Sequence, residues 1–185
     1  MTLYQPKVTL QRFFAGLAEA IFEAELGVAD PALIDYLSDL LFRFVRNDAV
    51  LKVRSLSGRP LADVSEMLVE AETRIGEARR EFHRQIGDFT LFWTGMFPES
   101  LRRGPGALTA DRYGDYCEHG KRAYRIASEI TLAGPNAAAD PAAEGEILER
   151  LSEEFEMCAY GLREVRREWE KRERDGDAPS LLWVS

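Results

Sequence analysis

Apolar residues return along this chain at spacings of three and four, in long runs separated by Gly, Pro and Asp, which is the period of amphipathic helices. The pattern is densest from Glu77 to Glu99. Phe82, Ile86, Phe89, Trp93 and Met96 share one helical face there, while Leu91, Phe92 and Phe97 fill the other sides of the last turns. A helix apolar all round is buried all round, so this stretch is predicted to be the central helix. Beside its aromatic stripe run His83, Gly87, Thr90 and Thr94, small or polar groups at the same spacing, where a second helix or a ligand could come close.

The remaining stretches read as helices around it. Leu10, Phe13, Phe14, Leu17, Ile21 and Ala24 form the apolar face of a first helix that starts between Pro6 and Thr9 and ends near Leu26, with Gly27 as its cap. Asp30-Pro31 starts the second, since the carboxylate caps orphan amides and proline presets the first helical φ. That helix runs to about Arg46 and carries Leu33, Ile34, Leu37, Leu40, Leu41, Phe44 and Val45. Asn47 to Pro60 reads as a connector containing the turn signal Ser57-Gly58, with a short hairpin as the alternative. A third helix opens at Pro60 and carries Leu61, Val64, Met67, Leu68, Ala71 and Ile75 to Gly76, where it bends or stops.

Pro98 closes the central helix or starts a short turn, and Arg102 to Gly106 is a loop. The fifth helix begins at Thr109 and gathers Tyr113, Tyr116, Cys117, Gly120, Ala123, Tyr124, Ala127 and Ile130 on one side. Its small residues permit a close approach, and the Gly87 stripe is the expected partner. Ala133 to Glu144 reads as a flexible connection. From Pro141 or Ala142 to about Arg174 the last helix shows an unbroken seam of coiled-coil spacing: Leu148, Leu151, Phe155, Cys158, Leu162, Val165 and Trp169. The expected fold is all-α, a single-domain bundle of about six helices over residues 1–174, with the long C-terminal helix along one side. Residues 175–185 then form a breaker, Asp175 to Ser180, and an apolar tail, Leu181, Leu182, Trp183 and Val184.

Composition narrows the classes. A chain of 185 residues fits one domain, and no apolar run approaches the ~20 residues of a membrane span, so a soluble protein is expected. Its start lacks a basic cluster followed by an apolar stretch, which predicts a cytoplasmic location without membrane association. The net charge of −8 opposes general nucleic-acid binding, where neutralising phosphates dominates affinity. The arginine-rich, alanine-rich usage is read as genome composition. Cys117 and Cys158 fall at core-facing helical positions and are expected to be reduced.

The candidate chemistry is sparse. Imidazole chemistry can use only His83 on the central helix and His119 on the fifth. Packing of these helices would assemble a polar pocket from His83, Thr90, His119, Tyr116 and Tyr124, with Tyr113, Glu81 and Asp88 as companions. Carboxylate-bridged di-metal bundles need Glu-x-x-His pairs, and this chain has none, so no metal set and no cofactor is expected, although a haem on one histidine stays open. Glu66, Glu70, Glu77 and Glu81 alternate with Arg74, Arg79, Arg80 and Arg84, which reads as an exposed salt-bridged face. Arg102, Arg103, Arg112, Lys121, Arg122 and Arg125 form the most basic region, able to hold a phosphate or an acidic peptide. There is no nucleophile elbow, phosphate loop or dinucleotide fingerprint.

The leading expectation is therefore a non-enzymatic interaction or scaffold protein. It would act as a homodimer, or with another protein, through the C-terminal seam and the Leu181, Leu182, Trp183, Val184 tail. The alternative is a ligand-, haem- or metal-binding bundle built around His83 and His119.

Overall fold

A computed structural model describes residues 6–46, 54–59, 61, 63–102, 112–130 and 141–178, which form helices and turns with no strand among them. The helices are α1 (Pro6–Glu19), α2 (Pro31–Val45), α3 (Val64–Ala71), α4 (Gly76–Met96), α5 (Pro98–Leu101), α6 (Tyr113–Glu129), α7 (Pro141–Glu153) and α8 (Phe155–Asp175). None is long and apolar enough to cross a membrane.

The first helix ends in a π-helical stretch, Ala20–Glu25, closed by Leu26 N–H on the Ile21 carbonyl at 3.0 Å. Gly27 follows at φ +68°, and Val28 N–H bonds the Phe22 carbonyl at 2.8 Å. Phe22 and Ile21 are buried, whereas Ala24, expected on the apolar face, is exposed. The second helix starts as its sequence implies: Asp30 Oδ1 accepts from Leu33 N–H at 3.2 Å, with Pro31 at the first helical position.

Asp63 caps α3 by accepting from Ser65 N–H at 2.7 Å. The helix stops at Ala71, short of the expected Gly76, because Thr73 donates both its N–H (3.1 Å) and its hydroxyl (2.7 Å) to the Glu70 carbonyl. Ile75 is consequently 85% exposed and belongs to no core face. The turn over Ser57-Gly58 is present, with Gly58 at φ +84°; residues 47–53, which would decide between hairpin and connector, lie outside the described residues.

The central helix is central. Phe82, Ile86, Phe89, Leu91, Phe92 and Met96 are all buried, and Phe92 stacks on Phe44 of α2 at a centroid distance of 4.6 Å. Its main neighbour is α6, which runs antiparallel on the Gly87 stripe as expected. A Cβ on Gly87 would lie 2.6 Å from the Tyr124 ring, and one on Gly120 would lie 2.4 Å from Thr90 Oγ1. The two glycines therefore let the backbones approach. At the far end of the pair, buried Arg80 donates Nε to the Ala127 carbonyl at 3.1 Å.

The last helix is not the unbroken rod expected. It kinks at Glu154 (φ −106°, ψ 25°), while Glu154 N–H and Cys158 N–H keep their bonds to the Arg150 and Glu154 carbonyls. The kink sets Phe155 against Tyr124 and Gly120. Every residue of the Leu148 to Trp169 seam is at most 1% exposed, covered by this chain's own α1, α4 and α6. Gly161 receives the Phe22 ring, and Trp169 meets Phe14 edge-on at 5.2 Å. The seam is thus intramolecular and offers nothing to a second chain. Gly176, at φ +80°, ends the helix. The tail Leu181, Leu182, Trp183 and Val184, the 131–140 connection and Thr109 lie outside the described residues.

Candidate functional site

Three polar arrangements stand out from this packing. The first lies on α4 beside Gly87. The Asp88 carboxylate, 1% exposed, accepts at Oδ1 from the hydroxyls of Tyr36 (2.6 Å) and Tyr124 (2.8 Å), and at Oδ2 from Arg43 (3.0 Å) and more distantly Arg84 (3.5 Å). These donors come from α2, α4 and α6. Tyr124 reaches Asp88 because its ring lies flat over Gly87, so the small residue and the buried carboxylate form one device.

Electrostatics close the cluster. Burial, and then the Asp88 charge, hold the Tyr36 and Tyr124 hydroxyls well above the usual phenol range, so both stay protonated donors. Burial alone would lower the two guanidiniums, but Asp88 offsets it for Arg43, and the Glu81 hydrogen bonds together with Asp88 offset it for Arg84. Two cations and two hydroxyls saturate the carboxylate's lone pairs. Nothing is left over for a substrate, and the cluster acts as a clamp that ties three helices together.

The second arrangement is a groove of about 770 Å³ between α6 and the α7–α8 kink, lined by Tyr113, Cys117, Lys121, Ser152 and Glu156 among others. Lys121, Arg122 and Arg125 face Glu118, Glu153 and Glu156, so the groove carries no net sign, and Lys121 is spent on Glu156 at 2.6 Å. Burial and the neighbouring Glu156 push the Cys117 thiol up, away from the thiolate a nucleophile needs. Cys158 is buried more deeply and is pushed up to about 12. Both cysteines are free thiols.

The third is His83, 1% exposed, whose Nδ1 and Nε2 both lack a hydrogen-bond partner. Burial lowers its pKa first, and the nearby Arg79 and Arg122 lower it further, against Glu72.

The residues predicted to line one pocket are distributed differently. Thr90 donates its hydroxyl to the Ile86 and Gly87 carbonyls of its own helix, both at 2.9 Å, and Tyr124 belongs to the Asp88 clamp. Tyr116 packs on Phe89 at 6.2 Å between centroids, and burial raises its pKa. His119 is half-buried, beside Gly120 and so level with Thr90, whereas His83 is level with the turn between Tyr124 and Ala127; along the helix pair they are roughly 10 Å apart. Among the described residues no group of three His, Cys, Asp or Glu side chains could hold a metal ion. The ion pairs of the expected face are present in Arg74 on Glu70 (3.2 Å) and Arg84 on Glu81 (2.7 Å), but the face is not the exposed one expected: Arg80 is buried and pairs with Glu144 of α7 at 2.7 Å, because it reaches into the contact with α6.

Sequence reasoning named Asp88 only as a companion and missed Tyr36 and Arg43. Their signal was present: Tyr36, Asp39 and Arg43 recur at three and four on α2, a polar stripe on an otherwise apolar helix.

A surface feature complements these interior ones. The most exposed aliphatic side chains among the described residues are Ile75 (85%), Leu56 (71%) and Val69 (71%). Leu56 is tied to the end of α3, where its N–H donates to Glu70 at 2.6 Å and Arg74 bridges Glu70 and the Arg54 carbonyl; Val69 and Ile75 adjoin Glu70 and Arg74 in the chain. A recess of about 490 Å³ opens there, lined by Leu56, Arg74, Ala78 and Phe82 among others. No family model, no curated protein and no solved structure matches the chain.

Proposed function

We propose that this chain is a non-enzymatic protein-interaction module that pairs with a second copy of itself through the corner formed by Leu56, Val69 and Ile75. The observation carrying this reading is their exposure, in contrast to the other large aliphatic side chains among the described residues, near a recess in which Leu56, Ala78 and Phe82 are flanked by Arg54, Arg74, Glu81 and Gln85. A twofold contact is self-complementary, so one patch must supply both projection and recess. Here Ile75 is the projection, and Leu56, Ala78 and Phe82 wall the recess.

Charge supports a self-contact at this place. The whole chain carries −8, which opposes association elsewhere. At the corner Arg54, Arg59, Arg74 and Arg79 alternate with Glu66, Glu70, Glu72 and Glu77, so two copies meet without net repulsion. Catalysis has weaker support, because the Asp88 cluster is saturated and the thiols are held protonated.

Native mass spectrometry and light scattering over a concentration series test the reading. The expected result is a dimer for the full chain, a monomer of unchanged helicity for the double variant Val69→Asp/Ile75→Asp, and a dimer after removal of residues 179–185. A full-length chain that stays monomeric would sink the self-association. Loss of the dimer only on tail removal would move the contact to Leu181, Leu182, Trp183 and Val184.

A further inference from the structure

The recess of about 490 Å³ joins two stretches, 54–58 and 74–85, and its volume lies in the range of small-molecule sites. Leu56, Ala78 and Phe82 give it an apolar side. The Arg74 guanidinium lies over the Phe82 ring, 4.4 Å from the centroid, and donates Nη2 to the Arg54 carbonyl at 3.0 Å, which ties the two stretches together.

The charges around the recess are unevenly spent. Glu81 accepts from Arg84 at 2.7 and 2.9 Å and from Gln85 at 3.0 Å, so its carboxylate is satisfied within its own helix. Glu70 Oε1 is shared between Arg74 (3.2 Å) and the Leu56 N–H (2.6 Å). Arg54 reaches only the Gly58 carbonyl, at 2.9 Å, and pairs with no carboxylate among the described residues. One positive charge is therefore left over beside an apolar wall.

We infer that this recess binds a small monocarboxylate with an apolar body, the carboxylate on Arg54 and the body against Leu56, Ala78 and Phe82. A cation would meet Arg54 and Arg74, and a dianion would meet Glu70 and Glu81 as well as the guanidiniums. A single carboxylate matches the one unspent guanidinium and its planar fork. The second copy's Ile75 would use the same apolar wall, so ligand and self-contact compete, but the site does not rest on that contact.

The test follows the full chain by proton–nitrogen amide NMR at neutral pH. 3-Phenylpropionate, its uncharged amide and acetate are titrated separately, each charged probe against sodium chloride of matched ionic strength. The expected result is saturable shifts at residues 54–58 and 78–85 with 3-phenylpropionate, and much weaker binding of the amide, which lacks the charge, and of acetate, which lacks the body. Arg54→Gln should lower affinity about tenfold, as loss of one charge-assisted bond implies, and Arg54→Lys should retain part of it. Because Arg54 is exposed and holds a single carbonyl, either substitution leaves the helical signal unchanged. Light scattering on the same samples separates the two readings: a chain that binds the probe while monomeric throughout keeps the site and loses the self-contact. Absence of a saturable response at these residues overturns the site, as does equal binding of the amide or of acetate, or a response that Arg54→Gln leaves intact.

Discussion

Asp88 is the only fully buried carboxylate among the described residues, and its four donors make it the most sensitive single position. Asp88→Asn is expected to destabilise the fold by about 3 kcal/mol, because it leaves Arg43 and Arg84 facing a neutral amide. Tyr124→Phe removes one hydroxyl and should cost about 1–2 kcal/mol; urea titration of both variants checks the order. His83 sets a pH dependence. Its folded pKa lies below the ordinary 6.5, chiefly through burial and then Arg79 and Arg122, so the unfolded chain binds its proton first as pH falls. The contribution is complete above about pH 6.5 and is lost as pH drops through that value toward the folded pKa. His83→Phe should flatten the stability profile in that window, read from melting temperatures at matched ionic strength.

Elements in this fold meet where side chains are missing. A Cβ on Gly87 would lie 2.6 Å from the Tyr124 ring, and one on Gly161 would lie 2.2 Å from Phe22 Cζ. Gly87→Ala should therefore lower stability by about 1–3 kcal/mol, through overpacking and through displacement of Tyr124 from Asp88. Gly16 in α1 has nothing within 4 Å of its would-be Cβ, so Gly16→Ala should stabilise by about 0.5–1 kcal/mol. Thermal unfolding of the pair separates glycines that seat a neighbour from those that only lower helix propensity. The boundaries of α3 follow a related local competition, since the Thr73 hydroxyl takes the carbonyl that a continuing helix would use. An apolar residue at helical spacing, Ile75, is left outside as a result.

For the molecule as a whole, the direction in which the C-terminal seam faces decides what surface remains for partners. Leu162 lies at 0% exposure against Gly95 of α4, so Leu162→Ala should cost about 2–5 kcal/mol without altering the assembly state, whereas substitutions at Ile75 should do the reverse. Denaturant melts and native mass spectrometry on the same two variants distinguish these outcomes. The helices, their buried faces, the Asp30 and Gly27 caps and the pairing of the fifth helix with the Gly87 stripe were legible in the chain. They depend on spacing within a few turns and on the conformational habits of single residues, which neighbours along the chain determine. Tertiary structure alone decided that the seam is internal, that Tyr36 and Arg43 converge with Tyr124 on Asp88, and that His83 is buried with both ring nitrogens unpartnered. Each of those outcomes joins residues distant in the chain, or depends on whether a buried group finds a partner on another helix. Periodicity states which face is turned inward and is silent about what that face meets.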